Sequence, residues 1–235
     1  MRRWLRLFLF GVLVNLVCLM MIAGAHWALT PPAAQAAGGA FSERDYAAQL
    51  AAAALTLYHA GDDGGALTKL QAAVALAPDL AGAHTTLGMV LARLGRTDEA
   101  LAEFKTAVTL DPAQAEAHYQ LGLLYDAQGA TPAAIAAYQA ALRAFPDFAL
   151  AHNRLGLAYQ RAGQSEAALA AFTTAVMVRP ALAEAHLNLG QAYAQHGRWT
   201  AAVAELEIAL RQAPESAAAL AWLTAARARL AALTR

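Results

Sequence analysis

The 235-residue chain sets 17 Lys and Arg against 17 Asp and Glu, so no net charge draws it to a phosphate backbone and no nucleic acid is expected as partner. Its single cysteine, Cys18, excludes an intrachain disulfide whatever the compartment. Hydrophobic residues make up 59% of the sequence, yet no run alternates apolar with polar residues as a half-buried strand does, which leaves an all-α chain.

Met1–Leu29 stands apart. Arg2, Arg3 and Arg6 precede an apolar run from Leu7 to Leu29 in which Asn15 and His26 are the polar interruptions. About 20 apolar residues cross a bilayer as a helix, so the run suffices for one N-terminal hydrophobic helix acting as a transmembrane anchor. It is also longer than the roughly 7 to 15 residues of a signal-peptide core. The next basic residue is Arg44, and the positive-inside rule therefore leaves the N-terminus in the cytoplasm and carries the rest to the periplasm or the cell exterior. Ala23-Gly24-Ala25 and Ala34-Gln35-Ala36 have the small-x-small form of a cleavage site. Cleavage at either would yield the same exported domain, secreted or periplasmic. Cys18 follows Val17 rather than a small residue and reads as a membrane-buried hydrophobe, not a lipid attachment point. Arginine prevails over lysine, Lys69 and Lys105 being the only lysines, a composition that with the abundant alanine points to a bacterial, GC-rich source.

Residues 30–42 form a flexible linker, since Thr30–Ala40 carries prolines at one end, glycines at the other and no apolar face. Ser42 with Glu43 and Asp45 makes an N-cap and an acidic first turn, so the first ordered helix is expected near Glu43.

From here the chain is periodic. His-x-x-Leu-Gly occurs at His84, His118, His152 and His186, each 34 residues after the last. Ala100, Ala134, Ala168 and Ala202 follow at the same period, then Phe104, Tyr138, Phe172 and Leu206, then Ala107, Ala141, Ala175 and Ala209, and finally Pro112, Pro146, Pro180 and Pro214. Leu87, Gly88 and Leu91 share one helical face, and Ala100, Phe104, Ala107 and Val108 share another at i, i+4, i+7, i+8. Each unit is thus two short amphipathic helices. Gly88 and its counterparts remove bulk where the backbones approach, and the Phe104 series fills the space beside them. Gly95, Gly129, Gly163 and Gly197 supply the turn between the helices. Thr97, Thr131 and Ser165 are expected as N-caps, with Pro132 in a first helical turn. One period earlier, 47–80 is a degenerate unit with Leu50, Ala53, Ala54, Leu57, Ala66, Leu70, Ala73 and Pro78 at the landmark positions. Its turn is expected over Gly61-Asp62-Asp63-Gly64-Gly65, where the alternating oxygen ligands of a calcium loop are missing.

A 34-residue period with this order of small, aromatic, small and proline positions resembles the tetratricopeptide repeat family. The resemblance implies a right-handed superhelical solenoid of five helix-turn-helix repeats over 47–80, 81–114, 115–148, 149–182 and 183–216, the ordered region running from 43 to 216. Residues 217–235, with Leu220, Leu223 and Leu230 on one side and Arg227 and Arg229 elsewhere, are expected as a capping helix over the last apolar face. The histidines read as packing residues, because neighbours one repeat apart stand near the roughly 10 Å spacing of packed helices and a zinc ion needs its ligands at about 2 Å. No phosphate loop, nucleophile elbow or metal motif interrupts the period, so no catalytic residue, metal or cofactor is expected.

In the family the first helix of each repeat lines a concave groove. The resemblance places there Thr85, Arg93, Glu116, Tyr119, Gln120, Asp126, Asn153, Arg154, Gln160, Arg161, Glu184, Asn188, Gln191 and Gln195. Tyrosine, arginine and amides suit an extended peptide whose backbone can be hydrogen-bonded. The lysine and asparagine with which chaperone-binding members hold a C-terminal carboxylate are replaced by Thr85 and Met89, or Tyr119 and Leu123, so that activity does not carry over. The expectation is a non-catalytic adaptor, tethered to the cytoplasmic membrane, that binds another protein and assists assembly of an envelope or membrane complex. Two other readings fit the sequence: a non-catalytic subunit or substrate-presenting arm of an envelope enzyme such as a glycosyltransferase, and a structural homo-oligomer.

Overall fold

The computed structural model describes residues 42–233; the anchor expected at 1–29, and all but the last residue of the linker, lie outside them. Eleven helices and no strand occur among the described residues. They are α1 (Glu43–Ala60), α2 (Asp63–Leu76), α3 (Ala81–Arg93), α4 (Thr97–Leu110), α5 (Ala115–Ala127), α6 (Thr131–Ala144), α7 (Ala149–Arg161), α8 (Ser165–Val178), α9 (Ala183–Gln195), α10 (Trp199–Gln212) and α11 (Ala217–Leu233). None of these is long and apolar enough to cross a membrane.

Ser42 starts α1 as expected. Its hydroxyl accepts from the Asp45 amide while the Asp45 carboxylate accepts from the Ser42 amide, a reciprocal cap. These bonds to the ionised form, the Ser42 hydroxyl first, hold the Asp45 carboxyl below its usual range.

The turn inside each pair is tighter than expected. Gly95 takes φ 77°, the left-handed region that a side chain disfavours, which lets Gly95 N–H reach the Ala92 carbonyl and Arg96 N–H reach the Leu91 carbonyl. These are the two bonds of a Schellman motif, and Gly129, Gly163 and Gly197 repeat the positive φ. The chain re-enters a helix at once, so Arg96, Ala130 and Gln164 are the cap residues and make no side-chain cap bond. Thr97, Thr131 and Ser165 are therefore not the N-caps expected of them; they already sit inside the helices, as does Pro132. In the first pair the left-handed residue is Gly61 (φ 84°). Asp62 caps α2 by accepting from Gly65 N–H at 2.9 Å, and Asp63, Gly64 and Gly65 are helical instead of lying in the loop.

The close approach is as the small residues require. A Cβ on Gly88 would stand 2.6 Å from Phe104 Cε1, and Gly122, Gly156 and Gly190 meet Tyr138, Phe172 and Leu206 in the same way. Phe104, Tyr138 and Phe172 are completely buried, flanked by Ala100, Ala134 and Ala168. Each such pair stacks on the next.

Contacts between pairs are unequal. The first helices of successive pairs touch one another, α1 with α3, α3 with α5, α7 with α9 and α9 with α11, while no comparable contact joins the second helices. A stack closer along one side curves toward that side, so α1, α3, α5, α7, α9 and α11 line the concave face of an open arc. The last of these begins one period after α9, and no second helix packs behind it among the described residues. Leu223 is buried, but Thr224 stands exposed where α9 has Gly190, and Leu220 is 57% exposed instead of joining the sealed face.

Candidate partner-binding groove

The concave face is built as a ladder. Five side-chain contacts link a residue i on one first helix to residue i+35, one period plus one, on the next. Arg93 donates to the Tyr58 carbonyl at 2.7 Å, with its guanidinium carbon 3.7 Å from the Tyr58 ring centroid. The Arg154 guanidinium faces the Tyr119 hydroxyl, Arg161 pairs with Asp126, Asn188 Nδ2 donates to Asn153 Oδ1 at 2.9 Å and Gln160 donates to Gln195 at 2.9 Å. Neighbouring repeats are thereby tied by polar bonds above their apolar cores.

Ten of the expected groove residues keep access to solvent in some degree: Arg93, Glu116, Gln120, Asp126, Arg154, Gln160, Arg161, Glu184, Gln191 and Gln195. Four do not. Thr85, Tyr119, Asn153 and Asn188 are buried, Asn153 completely, so they form the floor of the groove and not the outward contacts expected of them. Thr85 turns its hydroxyl to the Ala81 carbonyl at 3.1 Å, and Tyr119 lies between the rings of Tyr138 and Phe148.

The arginines are not free forks. Arg93 reaches both oxygens of Asp63, and Arg154 pairs with Glu184 at 3.7 Å. Burial works against the Arg154 charge, but Glu184 and the Tyr119 hydroxyl outweigh it and raise the guanidinium above its ordinary range. Asp126 serves two partners, accepting from Arg161 and from the Tyr138 hydroxyl, the latter at 2.8 Å. Burial, then this bond to a carboxylate, pushes the Tyr138 phenol far up, so it stays a neutral donor.

Between the polar rungs runs an apolar row, in which Met89 and Leu123, already placed at groove positions by the resemblance, are joined by Leu157, which the sequence did not single out. Met89, Leu123 and Leu157, one per repeat, are each half-buried at the position that Gln191 holds in the fifth repeat. All three fall on the 34-residue period, but that they form one apolar row shows only once the groove is located.

Asn153 Nδ2 is the one buried side-chain polar atom without a hydrogen-bond partner among the described residues. Removing a single member of such a pair orphans the other, whereas replacing both by apolar groups of similar volume is neutral or stabilising. Asn153→Leu combined with Asn188→Leu should therefore match or exceed the parent in thermal melting, while Asn153→Leu alone should lose about 1 kcal/mol or more.

The histidines contact the backbone of the preceding repeat. His84, His118, His152 and His186 each donate Nε2–H to the carbonyl of a proline six residues earlier, at 3.0, 3.1, 2.8 and 2.9 Å. Nδ1 of His84 and of His186 also lies 2.6 Å from a carboxylate, Glu103 and Glu205 respectively. These bonds make the histidine and the proline one joint between repeats. No group of three or more His, Cys, Asp or Glu able to hold a metal ion occurs among the described residues.

A sequence profile for the tetratricopeptide repeat matches residues 85–149 and 153–217. The chain belongs to the tetratricopeptide repeat family. No curated protein is matched by the sequence. Among solved structures, the crystal structure of MamA is 27% identical over 70% of this chain and 96% of its own, with TM-score 0.61. A thermophilic tetratricopeptide protein of Thermus thermophilus is 25% identical over 78% of this chain and 98% of its own, with TM-score 0.57. YrrB, described as a tetratricopeptide protein with an unusual peptide-binding site, shares the fold at 22% identity over 82% of this chain and 96% of its own, with TM-score 0.61. The fold is that of a protein-interaction scaffold.

Proposed function

We propose that the protein is a non-catalytic, membrane-tethered adaptor whose repeats face the periplasm or the cell exterior and hold an extended segment of another protein in the concave groove. The observation that carries this reading is the row of Met89, Leu123 and Leu157 between the polar rungs. Packed helices stand about 8–10 Å apart. A chain in the polyproline II conformation advances about 3.1 Å per residue with three residues per turn, so every third side chain returns to one face after roughly 9 Å. A segment with an apolar residue at every third position then sets one side chain on each member of the row, while Glu116, Gln120 and Gln160 meet its backbone. The peptide-binding site named for YrrB supports this use of the fold.

Tethering is supported by the apolar run of Leu7–Leu29 behind Arg2, Arg3 and Arg6. A reporter active only outside the cytoplasm, fused after Arg235, should be active. A cytoplasm-only reporter working at that position would reverse the topology. The adaptor role itself is tested by capture: the full chain, purified from native membranes after crosslinking, should carry a second protein whose yield falls when the apolar row is made polar.

A further inference from the structure

Given the adaptor reading, on which this rests, we infer that the partner segment carries an aromatic side chain and seats its ring in a cleft at the last repeat of the groove. The cleft has a volume of about 350 Å³. It is lined by Ala183, Glu184 and Leu187 near the start of α9, by Ala209 and Ala213 at the end of α10, and by Ser216, which directly precedes α11. Glu184 belongs to the concave face and pairs there with Arg154 of α7, so the cleft adjoins the groove.

The chain holds its own template for the occupant. Two periods earlier the same six register positions are Ala115, Glu116, Tyr119, Ala141, Phe145 and Phe148. Ala115, Glu116 and Ala141 recur unchanged as Ala183, Glu184 and Ala209, so the whole difference falls on three ring-bearing residues. In the third repeat those rings pack on one another, Phe148 lying 4.9 Å from Tyr119 and 5.9 Å from Phe145 between centroids. In the fifth they become Leu187, Ala213 and Ser216. The backbone does not close over the loss: Ala213 keeps φ −133° and ψ 78° where Phe145 has φ −138° and ψ 93°. Space is left where rings stood, and a packed interior leaves few such gaps unfilled.

Polarity narrows the occupant further. Glu184 is the only charged residue of the lining and already faces Arg154 at 3.7 Å, while Ser216 Oγ accepts from Ala219 N–H at 3.3 Å. The rest of the wall is alanine and leucine. An acidic side chain would find no donor there and a second carboxylate in Glu184, whereas a neutral ring needs only apolar contact. Aromatic residues set in such pockets are the usual anchors of an interface.

The test is an NMR titration of the full chain carrying methyl-labelled alanine and leucine. The probe is N-acetyl-phenylalanine N-methylamide, with the leucine and glutamate counterparts as comparisons. The ring current of the probe should shift the Leu187 and Ala213 methyl signals saturably, while Ala141, whose site holds Phe148, stays still. Ser216→Phe, which installs the template ring, should abolish the effect, and Ser216→Ala, which removes only the hydroxyl, should keep it. Unmoved Leu121 and Leu155 signals report an intact fold in both. In crosslinked native membranes Ser216→Phe should also lower the yield of captured protein. Five outcomes of the titration would overturn the assignment: no movement of Leu187, equal saturation by the leucine or glutamate probe, equal movement of Ala141, undiminished binding in folded Ser216→Phe, or equal loss in Ser216→Ala. Full capture by folded Ser216→Phe, with capture still lost when the apolar row is made polar, would overturn the cleft and leave the groove standing. A cleft that takes the probe on a parent chain that captures no second protein would instead refute the adaptor reading.

Discussion

Gly122→Leu should cost about 3 kcal/mol, the upper part of the range for overpacking a core. That corresponds to a fall of roughly 6–12 °C in melting temperature for a unit of this size. A single Cβ at position 122 already runs into the ring of Tyr138, and the ring has no room to retreat. It is completely buried, and its hydroxyl is held by Asp126, which also carries Arg161. Moving the ring therefore breaks a bond within the repeat and strains one to the next. Ala102→Leu, on the exposed side of α4, adds comparable bulk and should leave melting within about 0.5 kcal/mol. Equal melting of the two variants would mean that the helix pair is not held by this approach.

The second large effect concerns binding. Leu123→Gln with Leu157→Gln should weaken partner capture by about 2 kcal/mol or more, the size expected when central apolar anchors are lost, or roughly thirtyfold in Kd. The fold should survive, because Gln191 occupies the same position in the fifth repeat. This pair tests the groove more cleanly than the arginines do. Arg161 and Arg154 hold Asp126 and Glu184, so removing them disturbs the ladder as well as any partner. Unchanged capture by a folded double variant would place the partner on another surface.

These two experiments show which parts of the molecule were legible in the sequence. Gly122 and Tyr138 were, since a small residue opposite a large one at fixed period has one packing solution. The turns were legible in place but not in detail. Thr97 looks like a cap by residue type, yet the Schellman bonds around Gly95 use the preceding residues so tightly that the helix has already begun. The groove was legible as a face but not as a surface. Residue type alone does not separate Gln160, which stays accessible, from Asn153, which is completely buried, because both are polar and lie on the same helix. They lie seven residues apart, two turns on one face, so their difference is the place along the helix, Asn153 in its first half and Gln160 in its last turn. The pairing of Asn153 with Asn188, of Asp126 with Arg161 and of Gln160 with Gln195 appears in sequence only as an interval of i to i+35. That interval is one residue longer than the repeat and is missed when positions are compared strictly in register. The histidines were read as packing residues, and their bonds to the Pro78, Pro112, Pro146 and Pro180 carbonyls required the fold.

The most direct measurement of the adaptor reading is site-specific photocrosslinking in native membranes. A photoreactive residue replaces Leu123 in the groove or, in a parallel strain, the exposed Ala136 on α6. The account predicts a discrete adduct with a second protein from position 123 and none from position 136. An adduct from position 136 with none from position 123 would contradict it.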